Sequence, residues 1–138
     1  MSTEESVQIV KNGFAAFGRG DISGLLELMA EDVEWEIPGT GLPLAGTYLG
    51  RDGVANFFQK LSAETEILDF QPREFIADGD RVLVVGFERT KLKATNRIVD
   101  LEWVMSFTVR NGKVAGYRQY YDTKAVADAR ASAASAAG

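Results

Sequence analysis

The sequence predicts an α+β fold. Three apolar stripes with helical spacing and one short strand fall within residues 5–63, and four long segments with strand alternation, joined by turn signals, follow them. Helices first and hairpin-connected strands afterwards imply helices layered on one face of an antiparallel sheet. In residues 5–18, Val7, Val10, Phe14 and Phe17 recur three or four apart, the stripe of an amphipathic helix. "GRGD" breaks it, and Asp21 is placed to cap a second short helix carrying Leu25, Leu28 and Met29. A strand at 33–37 comes next, then "PGTGLPLAGTYLG" (38–50), a Gly/Pro-rich loop long enough for a functional rim. A third helix is predicted over 51–63, with Val54, Phe57, Phe58 and Leu61 on one face. Strands are predicted over 66–76, 81–92, 97–110 and 113–121. Their connections are "ADGD", "ATN" (94–96) and "RNGK", in which Asn111-Gly112 is a strong hairpin signal. Asp122 or Thr123 can cap a last short helix, and the terminal "ASAASAAG" has too little apolar bulk to pack and is expected to fray. A long curved sheet with three helices on its concave face would leave a hollow between the layers.

Composition narrows the chemistry. At 138 residues the chain suits one domain with a single core. The net charge of −5 argues against nucleic acid and anionic membrane as partners. With no cysteine and no histidine, thiolate chemistry, disulfides, sulfur metal sites and the usual neutral-pH base are unavailable. No aspartate-rich loop is spaced for magnesium or calcium, so neither metal nor cofactor is expected. The amino end lacks a basic start and an apolar run, and no stretch reaches spanning length; a cytoplasmic location is the expectation.

"VEWEIPG" (33–39) looks at first like a strand carrying a catalytic acid. Alternation puts Val33, Trp35 and Ile37 on one face and Glu34 and Glu36 on the other, so the glutamates should point away from the helices. In the strand at 97–110, Val99, Leu101, Trp103, Met105, Phe107 and Val109 form the inner set. In the last strand Tyr117, Gln119 and Tyr121 share a face. The strand 81–92 is ambiguous: Leu83, Val85, Phe87, Arg89 and Lys91 form one set and Val82, Val84, Gly86, Glu88 and Thr90 the other, and periodicity alone does not choose between them.

"GFAAFGRGDISGLLELMAEDVEWEIPG", "YLGRDGVANFF" and "FTVRNGKVAGYRQYYDT", in this order and spacing over about residues 7–124, resemble the SnoaL-like group of the nuclear transport factor 2-like superfamily. The resemblance implies a cone-shaped α+β domain over 1–124, with a short helix and tail over 125–138. It also implies an apolar pocket and commonly a homodimer through the outer sheet face. Its members include polyketide cyclases, ketosteroid isomerases, limonene epoxide hydrolases, dehydratases and non-catalytic binding domains, so fold alone does not settle function. The positions used by ketosteroid isomerases fall at Gly13, Ile37 and Met105, and those of limonene epoxide hydrolases at Arg89, Lys91, Gln119, Trp35 and Ile37. Of these only Arg89 keeps the family's residue type.

The resemblance turns Phe87, Arg89 and Lys91 toward the pocket. The expected ligand-binding set is then Trp35, Ile37, Phe87, Arg89, Lys91, Trp103, Met105 and Gln119. An unpaired arginine in an apolar cavity is costly. Its partner is either an internal acid (Asp69, Glu74 or Asp52) or an anionic or carbonyl-bearing ligand gripped by the guanidinium. Three functions are open. One is a cofactor-independent isomerase, cyclase or dehydratase acting on a cyclic or aromatic carbonyl compound, with Arg89 and Gln119 as donors and Tyr48 or Tyr121 assisting, but with no base in place. The others are a non-catalytic small-molecule binding domain and a dimeric interaction module whose cone is filled by its own aromatic side chains.

Overall fold

The computed structural model describes residues 2–137, with side chains as far as Ala131. The order is α1 (Thr3–Gly18), α2 (Ile22–Glu27), β1 (Met29–Ile37), β2 (Gly46–Leu49), α3 (Gly50–Glu64), β3 (Thr65–Asp78), β4 (Arg81–Leu92), β5 (Ile98–Arg110), β6 (Lys113–Tyr121) and α4 (Thr123–Ala137). The six strands form one sheet in the order β2-β1-β6-β5-β4-β3. Every neighbouring pair is antiparallel except β1 and β6, which run parallel. The fold class is the predicted one. Two differences stand out: β2 forms inside the stretch expected to be loop, pairing Tyr48 with Trp35, and α4 is longer than the short helix expected. The fraying expected of the alanine- and serine-rich end falls on residues 132–138, outside the described side chains.

Local chemistry accounts for the ends of these elements. Ser2 and Glu5 form a reciprocal capping box at the start of α1. Asp21 caps α2 by accepting from the Gly24 N–H at 2.9 Å, and Asp122 accepts from the Ala125 N–H at 2.9 Å in the first turn of α4. Asn111 and Gly112 both have positive φ (52° and 78°), the backbone of a tight hairpin that joins β5 to β6.

The core lies between α1, α3 and one face of the sheet. Val33, Trp35 and Ile37 of β1 are buried there, as are Trp103, Met105, Phe107 and Val109 of β5, while Val99 and Leu101 join Leu92 in a smaller cluster under α4. Glu36 pairs with Arg118 at 2.6 Å on the opposite face, so the acids of "VEWEIPG" do point away from the core. In β4 the buried set is Val82, Val84, Gly86, Glu88, Thr90 and Leu92. Gly86 makes room for Trp103: a Cβ at residue 86 would lie 2.3 Å from the indole edge. Trp103 is 1% exposed and stacks on Phe70, with centroids 5.2 Å apart.

Candidate functional site

Two chambers open between the sheet and the helices. The first, about 90 Å³, is enclosed by α1, α2, α3 and the sheet, with Phe14, Phe17, Trp35, Phe57 and Met105 among its walls. The second, about 70 Å³, lies between the 38–45 loop, the end of α3 and α4; Ile37, Leu44, Thr90, Tyr121 and Val126 line it. Phe57, Leu61, Glu88 and Gln119 belong to both linings, so the two chambers meet at a carboxyl and an amide. The loop expected to form a functional rim contributes Leu42, Pro43 and Leu44 to the second chamber.

Glu88 is the residue that sequence reasoning missed. It sits in the middle of β4, is 9% exposed, and meets no lysine or arginine in either ion pair or hydrogen bond among the described residues. Burial raises its carboxyl above the ordinary glutamate value, because the charged form loses water; the Thr90 hydroxyl, donating to Oε2 at 2.6 Å, opposes the shift. An acid raised in this way and facing a cavity is a candidate proton-transfer group. Tyr117 and Tyr121 both hold their phenolic protons more tightly than usual, first through burial and then through the negative charge of Glu88.

Gln119 faces the same space. Tyr117 donates its hydroxyl proton to Gln119 Oε1 at 3.1 Å, and the Tyr117 ring lies flat on Trp35 at 3.7 Å. Trp35 Nε1–H is buried without a hydrogen-bond partner among the described residues. No lysine or arginine lines the first chamber; Arg130 reaches the second and pairs with Glu64 at 3.0 Å.

Four of the expected ligand-binding residues line these chambers: Trp35, Met105 and Gln119 the first, Ile37 and Gln119 the second. Trp103 lines neither; it is plain core, locked over Gly86. Phe87, Arg89 and Lys91 are on the other side of the sheet. Arg89 grips Asp100 with two hydrogen bonds, at 2.8 and 3.0 Å, and its side chain is 51% exposed. Its hydrogen-bonded partner is therefore Asp100 and not Asp69, Glu74 or Asp52, although Asp69, opposite it on β3, adds its charge; no ligand is needed to satisfy it. The reason is register: β4 pairs Arg89 with Asp100 of β5, and directly opposed residues share a face. Lys91 lies 3.7 Å from Glu66, and the Arg73 guanidinium sits 5.0 Å from the Phe87 ring. Tyr48 is also removed from the site, its hydroxyl donating to the Leu44 carbonyl at 2.9 Å. Tyr121 remains at the second chamber, with its hydroxyl 3.4 Å from the Pro38 carbonyl.

Arg89→Ala is accordingly expected to leave ligand binding unchanged and to cost little stability, as is usual for an exposed ion pair. Thermal melting beside a binding titration checks this; lost binding would return the arginine to the site.

Comparison with known proteins agrees with this architecture. A SnoaL-like domain model matches residues 10–117. An NTF2-like protein of Burkholderia xenovorans LB400 is 53% identical, with a TM-score of 0.87 over 94% of this chain and 98% of that one. TerC, in a crystal structure with polyporic acid, is 30% identical with a TM-score of 0.79, over 91% of this chain and 98% of its own. An uncharacterised protein of Mycobacterium tuberculosis is 26% identical over 121 residues, 88% of this chain and 92% of the relative. With its helices packed on one face of a six-stranded sheet around a carboxyl-bearing hollow, the chain belongs to the SnoaL-like family of NTF2-like folds.

Proposed function

We propose that this protein is a cofactor-independent enzyme of the isomerase, cyclase or dehydratase type, acting on a small cyclic or aromatic carbonyl compound, with Glu88 as its proton-transfer group. The observation that carries the reading is the buried carboxyl of Glu88, uncompensated by any cation, at the junction of the two chambers. Burying an acid in an aromatic core is destabilising; a chemical use explains its place there. The Glu88 carboxylate would take a proton from the carbon next to a substrate carbonyl, leaving the electron pair as an enolate. Gln119 would donate a hydrogen bond to the enolate oxygen, and the protonated Glu88 would return the proton to another carbon. A raised carboxyl pKa makes the carboxylate a stronger base near neutral pH. The base missing from the family positions would thus be supplied by a residue that is none of them, Glu88 of β4. TerC, crystallised with polyporic acid, supports a small-molecule role for this type of pocket. Turnover of small cyclic enones and aryl ketones by wild type, lost in Glu88→Gln while ligand binding persists, is the expected result.

A second reading, the interaction module with a filled cone, is favoured by size: chambers of about 90 and 70 Å³ fall below the roughly 300 Å³ at the lower end of ligand sites. Against it stands the acid, which a plug of aromatic side chains would not require. Under both readings the outer sheet face is the proposed contact for a second copy. Val85, Phe87 and Val104 lie there half-buried, and Tyr120 is 49% exposed. Light scattering is expected to give twice the chain mass, and Phe87→Glu to return it to one.

A further inference from the structure

We propose that Tyr117 fixes the Gln119 amide as a hydrogen-bond donor to the ligand, so that the first chamber selects uncharged carbonyl compounds over carboxylates and ammonium ions. This rests on the functional reading above and names the substrate class and a positioning residue for it.

The geometry begins with alternation on β6. Tyr117 and Gln119 are two residues apart on the inner face, and the phenol donates to Gln119 Oε1 at 3.1 Å. The phenol has little room to swing away. Its ring is stacked on Trp35 at 3.7 Å and packed edge-on against Phe107 at 5.1 Å, and the residue is 5% exposed. Burial also keeps the phenol protonated, so it remains a donor. In this arrangement the Gln119 oxygen is occupied by the phenol proton, and its Nε2 carries the free donors. No acceptor meets Nε2 among the described residues.

A second donor stands in the same wall. The Trp35 indole N–H is buried with no partner among the described residues, and leaving such a group unmet is costly. A ligand carrying an acceptor oxygen would answer a donor of this kind, whereas a ligand presenting N–H or O–H to Gln119 would not. Charge narrows the class further. Glu88 is the acid in the lining, and no lysine or arginine shares the chamber, so a carboxylate would meet like charge with nothing to neutralise it. A neutral ring ketone, enone or quinone would match these groups in chemistry: aromatic walls for its ring, the Gln119 amide and the Trp35 indole N–H as donors for its oxygen, and Glu88 for a proton from the adjacent carbon.

The test measures binding of four single-ring probes by NMR titration: toluene, acetophenone, benzoate and benzylammonium. Acetophenone is expected to bind tightest and benzoate weakest. In Tyr117→Phe the acetophenone-to-toluene affinity ratio should fall about five- to tenfold, the worth of one oriented hydrogen bond. Gln119→Met should lower the ratio by a similar factor, and the double variant should lower it no further, since the two side chains act as one unit. The cycle reads a ratio, so a general loss of packing in Tyr117→Phe leaves it interpretable. An unchanged ratio in Tyr117→Phe, benzoate binding as well as acetophenone, or no saturable binding by any probe overturns the proposal. So does tightest binding by benzylammonium, which would make Glu88 the counter-ion of a cation site among aromatic rings. The ratio is read without turnover. An active Glu88→Gln enzyme would therefore sink the catalytic reading alone.

Discussion

Replacing Glu88 with Gln is expected to abolish turnover and, at the same time, to raise the melting temperature at neutral pH. The first effect follows from removing the proton-transfer group; such groups contribute about 10²- to 10⁴-fold. The second follows from linkage. The folded-state pKa of Glu88 lies above its ordinary value because burial penalises the charge. Between the unfolded and folded values the native chain holds a proton that the unfolded chain has lost, so stability falls as pH rises through that window. Below the unfolded value, near 4.5, both states are protonated and the acid costs nothing extra. The glutamine variant never ionises and avoids the loss, while the Thr90 hydroxyl can still donate to its amide oxygen. The two melting curves should lie close together at pH 4 and separate toward pH 8, with the inactive variant the more stable. Melting and turnover measured on the same samples check both halves. A variant that keeps full activity would remove Glu88 from the mechanism. One whose melting temperature does not gain on wild type with rising pH would mean that the native carboxyl is not desolvated.

Gly86→Ala is expected to give the largest loss of stability of the single substitutions considered. The added Cβ would fall 2.3 and 2.5 Å from two ring carbons of Trp103 and 2.7 Å from the Gln71 carbonyl oxygen. None of these can retreat cheaply. The carbonyl belongs to the neighbouring strand, and the indole is packed against Phe14 and Phe70, which also touch each other. Overpacking in such a core costs about 1–3 kcal/mol, which for a chain of this size lowers the melting temperature by roughly 4–12 °C. Because Trp103 lies between the strands that carry Gln119 and Glu88, any compensating shift of the indole should also disturb ligand binding. Trp103→Phe should restore stability to Gly86→Ala, since a smaller ring vacates the space the methyl needs; differential scanning calorimetry of the pair separates this clash from a backbone effect. A Gly86→Ala protein that melts with wild type would show the contact to be loose.

Much of the architecture was legible. The inner faces of β1, β5 and β6 could be read because each alternates between an apolar and a polar set, and only one arrangement buries the apolar set. That is why Glu34 and Glu36 were correctly turned outward, and why Trp35, Met105 and Gln119 were correctly placed at the hollow. Strand β4 offers no such contrast. Leu83, Val85 and Phe87 make its outer set nearly as apolar as Val82 and Val84 make the inner one, so the family resemblance decided the question and decided it wrongly. One signal in the chain pointed the other way. A glycine in mid-strand, Gly86, marks a close approach by another group. The register of the β4–β5 turn was not legible. A three-residue connection over 94–96 would pair Lys93 with Arg97 and bring Arg89 opposite Leu101, on the inner face. The actual turn pairs Leu92 with Arg97 and Arg89 with Asp100. One residue of register exchanges the two faces of the strand.

The sequence by itself therefore determined the α+β class, the order of every element but β2, the caps at Asp21 and Asp122, the Asn111-Gly112 turn and the facing of β1, β5 and β6. These are local properties, set by periods of 3.6 and 2 and by residues such as Asp21, Asn111 and Gly112. Only the tertiary structure decided which face of β4 turns inward, and with it the chemistry of the hollow: a carboxyl in place of the expected guanidinium. The reason is that Glu88 and Arg89 are neighbours in the chain and opposites in the sheet, and which of them is buried depends on pairing with β5 and on room for Trp103 over Gly86, neither of which is written in either residue.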